Sequence, residues 1–196
     1  EIMKAFYERF IRPLYFSKRF YWSFVTVIVL FVLSFFWSWL FNVAQIALVF
    51  FAFMVLLDYT ILFVRKSGIK VVRQVSDRFS NGDNNKVQLQ VKNRYPFRVW
   101  LKIIDEIPIQ FQKRNFLLRA VLNSGERQNL VYNLRPVERG EYLFNDVNVY
   151  VKSPISFVIR RIIAAGEQTV KVLPSYLQLR QFELVAYSNN LSETGR

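Results

Sequence analysis

The chain of 196 residues contains neither cysteine nor histidine. Without cysteine it can form no disulfide, no thiolate metal site and no cysteine nucleophile, so it is not a disulfide-stabilised secreted domain. Without histidine it lacks the commonest metal ligand of proteins and the usual general base near neutral pH. The chain therefore lacks the residues that most hydrolases, zinc sites and catalytic triads use. We expect no cofactor, no metal site and no catalytic residues.

Charge is missing from one long stretch of the chain. No charged residue occurs between Arg19 and Asp58, although the net charge of the whole chain is +13. Residues 1–19 carry five cations and two anions, residues 20–64 carry only Asp58, and residues 65–196 carry 22 cations and 11 anions. This segregation, in a chain with 53% apolar residues, predicts a membrane anchor joined to a basic domain.

The uncharged stretch predicts two transmembrane helices, because it is too long and too apolar for one helix of a soluble core. Dividing it at Asn42 leaves residues 21–41 and 43–64. Each is about 31 to 33 Å long as a helix, which matches a hydrocarbon core of about 30 Å. We therefore expect a transmembrane hairpin over residues 20–66, in preference to a hairpin buried in a soluble protein.

Aromatic and basic residues mark where this hairpin should meet the two membrane surfaces. Cations precede and follow the hairpin and none occurs at its tip, which predicts that both ends and the domain that follows lie in the cytoplasm. The candidate anchor residues are Tyr21, Trp22, Trp37, Trp39, Arg65 and Lys66.

Asp58 is the ionisable residue of the second predicted span. An ionisable group inside a span is a functional candidate, but a residue near the span's end can also reach water or Arg65 at the interface. We favour a structural role. With a turn at Asn42, Thr26 lies at the same depth as Asp58, so we expect a hydrogen bond from Thr26 or Ser23, or from interfacial water.

The first 19 residues form a basic segment with an amphipathic pattern. Ile2, Phe6, Phe10 and Ile11 recur at helical spacing, and Pro13 closes the run. The pattern is typical of a helix that lies on the membrane surface. A short helix packed against the following domain or a neighbour has the same pattern, and both interpretations stay open.

Residues 67–175 have the pattern of an all-β domain. Apolar and polar side chains alternate in short segments that end in turn signals, and the pair Asn81 and Gly82 predicts a β-hairpin. This favours an antiparallel sandwich of the immunoglobulin or fibronectin kind, with a barrel as the alternative. The predicted strands span residues 69–79, 87–91, 99–104, 116–122, 128–134, 142–144, 147–151, 157–162 and 169–173.

The charged residues of this domain show no arrangement that indicates chemistry. Four cations are interpreted as solvated neighbours of core residues: Lys92, Lys102, Arg119 and Lys171. Three carboxylates are interpreted as turn and strand-edge residues, not as an acid/base pair: Asp105, Glu106 and Glu138. The small polar residues at 176–196 predict a linker to a C-terminal domain.

The most specific motifs lie in the last third of the chain. They are the run Arg139-Gly140-Glu141-Tyr142, the turn Ser153-Pro154-Ile155-Ser156, the basic pair Arg160-Arg161 and the run Val170-Lys171-Val172-Leu173-Pro174. Together with the two predicted spans, they resemble the membrane-anchored family named domain of unknown function fifty-eight. The positions that carry the resemblance are Arg139, Gly140, Tyr142, Pro154 and Pro174. Ser153, Ser156 and Leu173 stand where that family usually has Asp, Gly and Tyr.

The resemblance implies a bacterial inner-membrane protein with two transmembrane helices and a β-sandwich. It also implies a partnership with a MoxR-type AAA ATPase and other membrane proteins in protein assembly or maturation. The family's von Willebrand A-like domain would begin after Arg196.

Three functions are compatible with these patterns. The first is a non-catalytic scaffold that presents the β domain and a C-terminal effector domain at the membrane. The second is binding of anionic lipid or nucleic acid by the basic domain. Nucleic acid is not favoured, because the cations are spread singly and lack the aromatic and basic interleaving of an RNA-binding sheet. The third, a small transporter or enzyme, rests on Asp58 alone.

Overall fold

The computed structural model describes residues 12–65, 67–112 and 116–174, which contain two α-helices, eleven strands and a short 3₁₀ helix at Ile109–Phe111. The α-helices are α1 (Lys18–Leu33) and α2 (Ser38–Phe63). The strands are β1 (Leu14–Phe16), β2 (Ile69–Val75), β3 (Arg78–Ser80), β4 (Asn85–Asn93), β5 (Val99–Asp105), β6 (Leu117–Leu122), β7 (Arg127–Leu134), β8 (Gly140–Phe144), β9 (Val147–Lys152), β10 (Val158–Ala164) and β11 (Gln168–Leu173).

The helices form a hairpin whose turn lies earlier than predicted. The Ser17 hydroxyl caps α1 by accepting a hydrogen bond from the backbone N–H of Arg19 at 3.2 Å. The chain turns through residues 34–37, and Asn42 lies inside α2. The predicted turn at Asn42 is therefore wrong: it requires two helices of nearly equal length, whereas the helices have 16 and 26 residues.

Only α2 is long and apolar enough to cross a membrane among the helices of the described residues. Its most apolar window has a mean hydropathy of 2.4, and almost none of that window is buried inside the molecule. At 16 residues, α1 is about 24 Å long, shorter than a hydrocarbon core of about 30 Å. The second predicted span thus agrees with a helix of spanning length, and the first is shorter than predicted.

The strands confirm the predicted all-β sandwich. A five-stranded sheet has the order β1-β10-β9-β5-β6, and two three-stranded sheets have the orders β2-β4-β7 and β3-β11-β8. Side chains alternate between core and surface, as Val87, Leu89 and Val91 show on β4. The three sheets share one apolar core, which also takes in Leu62 and Phe63 from the end of α2.

Two details of the sandwich differ from the sequence-based expectation. Asn81 and Gly82 join β3 to β4, but these strands lie in different sheets, because the chain crosses over between β2 and β3 and it is β2 that pairs with β4. The predicted hairpin at this turn is therefore wrong. The pairing of β3 with β11 is also parallel, unlike the other strand pairs of the described residues.

The segment just before the hairpin belongs to the sandwich. Leu14–Phe16 forms β1 and pairs with β10, and the backbone N–H of Arg161 donates to the Pro13 carbonyl at 2.8 Å. The amphipathic pattern of residues 2–11 lies outside the described residues. β1, which leads into α1, pairs with β10, and Leu62 and Phe63 at the end of α2 pack in the core of the sandwich. Both ends of the hairpin therefore lie against the sandwich.

Candidate functional site at the junction of the helices and the β domain

Asp58 lies on α2 and has no exposed surface. One carboxylate oxygen accepts hydrogen bonds from the backbone N–H groups of Phe157 and Val158, both at 2.7 Å. The other accepts a hydrogen bond from the Ser153 hydroxyl. Bonds from three donors to a carboxylate are strong, since they are charge-assisted. Asp58 therefore joins the apolar helix to the turn between β9 and β10.

This contact corrects the expected partners of Asp58. The Thr26 hydroxyl donates to the carbonyl of Trp22 on its own helix at 2.9 Å, and Arg65 donates to the carbonyl of Arg94. The partners expected from a turn at Asn42, Thr26 and Ser23, are wrong because the true turn shifts the depth at which residues of the two helices face each other. The donors come from residues 95 to 100 positions away in the chain.

The turn that holds Asp58, residues 153–158, is here named the junction turn. The Ser153 hydroxyl accepts hydrogen bonds from the backbone N–H groups of Ile155 and Ser156, both at 3.1 Å. Ser156 has a φ of 61°, in the left-handed region that favours glycine. The N-cap of α1 also binds this turn, because the backbone N–H of Ser17 donates to the Phe157 carbonyl at 2.9 Å. Both helices are therefore hydrogen-bonded to the junction turn.

A buried arginine covers the end of α2. Arg160, on β10, donates through one nitrogen to the carbonyls of Leu62 and Arg65, both at 2.6 Å. Its guanidinium lies 4.9 Å from the centre of the Phe63 ring. The last carbonyls of a helix carry partial negative charge and need partners. Arg160 thus caps α2 with a cation that belongs to the β domain.

Tyr95 completes this cap. Its hydroxyl donates to the Leu62 carbonyl at 2.9 Å. Burial raises the pKa of Tyr95, and the nearby Arg160 charge acts in the opposite direction. The ring lies against Gly68, where an added Cβ would come within 1.9 Å of a ring carbon. The chain can leave α2 and enter β2 this closely only because residue 68 has no side chain.

A buried ion pair lies in the core of the sandwich. Arg73 and Asp105 form a salt bridge, and Arg73 also donates to the Asn145 carbonyl at 2.7 Å. Tyr132 donates its hydroxyl to the Asp105 carboxylate. Burial raises the pKa of Tyr132 above its ordinary value, and the Asp105 charge raises it further. This network joins strands of different sheets, and the sequence shows no sign of it because its members are far apart in the chain.

The other predicted site residues are distributed as follows. Tyr21, Trp22, Trp37 and Trp39 are exposed on the hairpin, and Lys66 lies outside the described residues. Arg139 is exposed and precedes Gly140, the first residue of β8. Tyr142 is buried and donates to the Glu138 carbonyl at 2.9 Å. Pro154 lies in the junction turn, and Pro174 follows β11. The structure thus brings Asp58 and Pro154 together and leaves the others dispersed, so their roles stay predictions.

Asp105 and Glu106 have structural contacts. Asp105 is the partner of Arg73, and Glu106 accepts a hydrogen bond from the Asn148 amide at 2.6 Å. Among the described residues, no three acidic side chains are grouped as a metal site would require.

Comparisons with known proteins find similarity at the level of solved structures only. No family model matches the chain, and no curated protein matches it. A CARDB domain from Pyrococcus furiosus is 16% identical over 54% of this chain and 87% of that chain, with a TM-score of 0.38. The alpha-2-macroglobulin of Escherichia coli is 14% identical over 54% of this chain and 16% of that chain, with a TM-score of 0.43.

A PKD domain of an M14-like peptidase from a Thermoplasmatales archaeon is 12% identical over 54% of this chain and 94% of that chain, with a TM-score of 0.33. These are β-sandwich domains of the immunoglobulin-like kind. With TM-scores of 0.43 or less, these likenesses assign no role to the chain.

Proposed function

We propose that this chain is a membrane-anchored, non-catalytic interaction module whose helical hairpin holds a β-sandwich in a fixed position at the membrane surface. The observation that carries the proposal is the burial of Asp58 on the apolar helix under three donors of the β domain. If the helices only tethered the β domain to the membrane, a flexible linker between them would be enough. Here only residues 64–68 separate α2 from β2, and both helices bind the junction turn.

Exposed apolar surface supports insertion of the hairpin in a bilayer. Side chains on both helices and on their turn are exposed, with Phe35 at 89% and Trp22 at 74%. Contiguous apolar surface of this extent indicates contact with a membrane or with another protein. The length and hydropathy of α2 favour the membrane.

The partners of the module are proposed from the resemblance of its motifs. A MoxR-type AAA ATPase acting in protein assembly or maturation at a bacterial inner membrane is the partner that the resemblance implies, and a C-terminal effector domain would follow residues 176–196. A purified ATPase of this class should bind the full chain in lipid nanodiscs, and no binding at micromolar concentrations would count against this partnership.

A distance measurement tests the rigid junction. Because the chain has no cysteine, Val49→Cys on α2 and Gln128→Cys on β7 provide two unique sites for spin labels, both exposed in the structure. In nanodiscs, the wild-type background should give one narrow distance distribution. Asp58→Ala should broaden it, whereas Thr26→Ala, a polar change on the hairpin without contact to the β domain, should leave it narrow. A broad distribution in the wild-type background would refute the fixed position.

Anchoring itself is tested by membrane extraction. The full chain should stay in the membrane fraction after washing with alkaline carbonate, which releases peripheral proteins. Release of the chain into the supernatant would refute the anchor while leaving the description of the sandwich intact.

A further inference from the structure

A groove opens between the start of α1 and the outer face of the five-stranded sheet. It has a volume of about 790 Å³. Apolar side chains, among them Phe16, Val121 and Ile159, form part of its wall. Five cations line it, and of the described residues that line it none is acidic: Lys18, Arg19, Lys102, Arg119 and Lys152. We name it the basic groove.

Strand register explains how cations scattered in sequence meet in this groove. Lys102 on β5 lies opposite Arg119 on β6. Trp100, two residues before Lys102, faces the same side of the sheet and lies opposite Lys152 on β9. Residues opposite one another on adjacent strands have Cβ atoms about 5 Å apart. The sheet therefore places three cations and an indole on one surface, and the start of α1 adds two more cations.

The positive charge of the basic groove is not balanced by its own lining. Like charges directly opposite across two strands destabilise a sheet. The pKa of Lys152 is lowered, first by partial burial and then by the charges of Lys102, Arg19 and Lys18. Another pair of opposed cations, on a different sheet, has an acidic neighbour. Arg78 lies opposite Lys171 on β3 and β11, but Glu141 forms an ion pair with Lys171 at 3.4 Å.

We propose that the basic groove binds the phosphate of an acidic phospholipid headgroup, an inference that rests on the proposed membrane anchoring. The groove lies where α1 begins, so it faces the membrane surface if the hairpin is inserted. Cations at that level attract anionic lipids, and a tryptophan such as Trp100 is favoured at the interface. The N-terminal end of α1 adds its positive dipole. The apolar wall suits the glycerol and upper acyl region of a lipid.

A lipid fits this site better than a nucleic acid does. Binding of a single strand uses a cationic track with several aromatic platforms. Among the described residues, the groove's lining has two aromatic residues, Trp100 and Phe16, which lie on β5 and β1 at different positions of the sheet, and the groove ends against α1. An oligonucleotide is therefore used as a competitor in the test.

The test is a lipid titration of the purified full chain in detergent, followed by native mass spectrometry. Phosphatidylglycerol and phosphatidylcholine with the same acyl chains are the probes. The wild type should bind phosphatidylglycerol about tenfold or more tightly than phosphatidylcholine. Lys102→Gln with Arg119→Gln should lower that affinity by about tenfold or more, since each cation near a membrane surface contributes about 1 kcal/mol.

The matched control is Arg78→Gln with Lys171→Gln, which removes the same two residue types from an opposed pair on another sheet. It should keep the preference for phosphatidylglycerol. If both double variants lost the same affinity for phosphatidylglycerol, the effect would come from total charge, and the proposed site would be refuted. Equal binding of both lipids by the wild type would also refute it. Circular dichroism of each variant checks that it is folded.

Two competition experiments identify whether the bound phosphate belongs to a lipid, to a small soluble compound or to a nucleic acid. Soluble glycerol phosphate should compete only weakly, and competition as strong as that of the lipid would assign the groove to a free phosphate compound. Displacement of the lipid by an equimolar oligonucleotide would assign it to nucleic acid. Flotation of the chain with vesicles of phosphatidylcholine alone tests anchoring separately, so a failure of the groove and a failure of the anchor are distinguishable.

Discussion

Single residues decide how the apolar helix is attached to the β domain. The depth of Asp58 in the second apolar segment is evident from the sequence, but its donors are not, because Ser153, Phe157 and Val158 approach it only after the sheet has formed. An ionisable group in an apolar run predicts a partner of some kind. It does not predict which element supplies that partner.

Replacing Asp58 should weaken the junction in proportion to the donors left without an acceptor. Asp58→Leu leaves two backbone N–H groups and a hydroxyl buried without an acceptor. We expect the free energy of unfolding to fall by about 3 kcal/mol or more, because each unsatisfied donor costs about 1 kcal/mol or more. Asp58→Asn keeps one acceptor oxygen and should cost less, about 1 to 2 kcal/mol. The measurement is equilibrium unfolding of the full chain in detergent.

Ser153→Ala is the comparison for Asp58. It removes one donor to the carboxylate, which keeps two, and it also removes the acceptor of the part-buried N–H groups of Ile155 and Ser156. It should lower the free energy of unfolding by about 1 to 2 kcal/mol. If Asp58→Leu were no more destabilising than Ser153→Ala, the three hydrogen bonds would not be what holds the helix to the sandwich.

Tyr132 should make the fold sensitive to high pH. Its pKa is raised in the folded protein, so the folded state favours the protonated phenol more than the unfolded state does. The stabilisation is therefore complete below the ordinary value of 10.0 and is lost as the pH rises above it. The unfolding midpoint of the wild type should fall above that pH, and Tyr132→Phe should show a smaller fall. If the unfolding midpoint fell equally steeply with pH in both proteins, Tyr132 would not be the source of the pH dependence. Tyr95, whose pKa is also raised, is present in both proteins, so it contributes equally to both.

For the helices and strands, the local sequence pattern predicts the type of each element better than the residues at which it begins and ends. Alternation of apolar residues predicts most of the strands, because each buries one face in the core. It does not predict the crossover between β2 and β3, which leaves that alternation intact. The sequence does not locate the turn between the helices, because residues 34–37, which include Phe35, Phe36 and Trp37, are as apolar as the helices beside them. Composition alone therefore gives no signal for the true turn.

The passage from α2 into β2 depends on close contact between a backbone and a ring. Gly68→Ala should push the Tyr95 ring away, because the new Cβ would lie 1.9 Å from it, and should break the hydrogen bond from Tyr95 to Leu62. We expect a loss of about 1 to 3 kcal/mol, the usual cost of overpacking. Thermal unfolding measures it.

Gly166→Ala is the matched control for this substitution. An added Cβ at Gly166 meets no atom within 4 Å, so the unfolding temperature should stay close to that of the wild type. If both alanine variants were equally destabilised, the effect would come from the backbone freedom of glycine and not from the contact with Tyr95.

At the scale of the whole molecule, the fold and the charge distribution bear on the same question of orientation. The pairing of β1 with β10 places the start of α1 at the sandwich, and the burial of Leu62 and Phe63 in the core places the end of α2 there. Lys18 and Arg19 stand at the start of α1 and Arg65 follows α2, while the turn at residues 34–37 carries no charge. Cationic residues next to membrane spans are retained in the cytoplasm. The sandwich should therefore face the cytoplasm.

Reporter fusions after Arg196 test this orientation in a bacterial host. A green fluorescent protein fusion should be fluorescent and an alkaline phosphatase fusion inactive, because phosphatase folds only after export. Placing two arginines in the turn, Phe35→Arg with Phe36→Arg, weakens the charge difference that sets the orientation, so phosphatase activity should rise from the wild-type level. The control Phe35→Gln with Phe36→Gln adds polarity without charge and should keep the phosphatase inactive. An active phosphatase in the wild-type fusion would place the sandwich outside the cytoplasm and would rule out an ATPase of the cytoplasm as its partner.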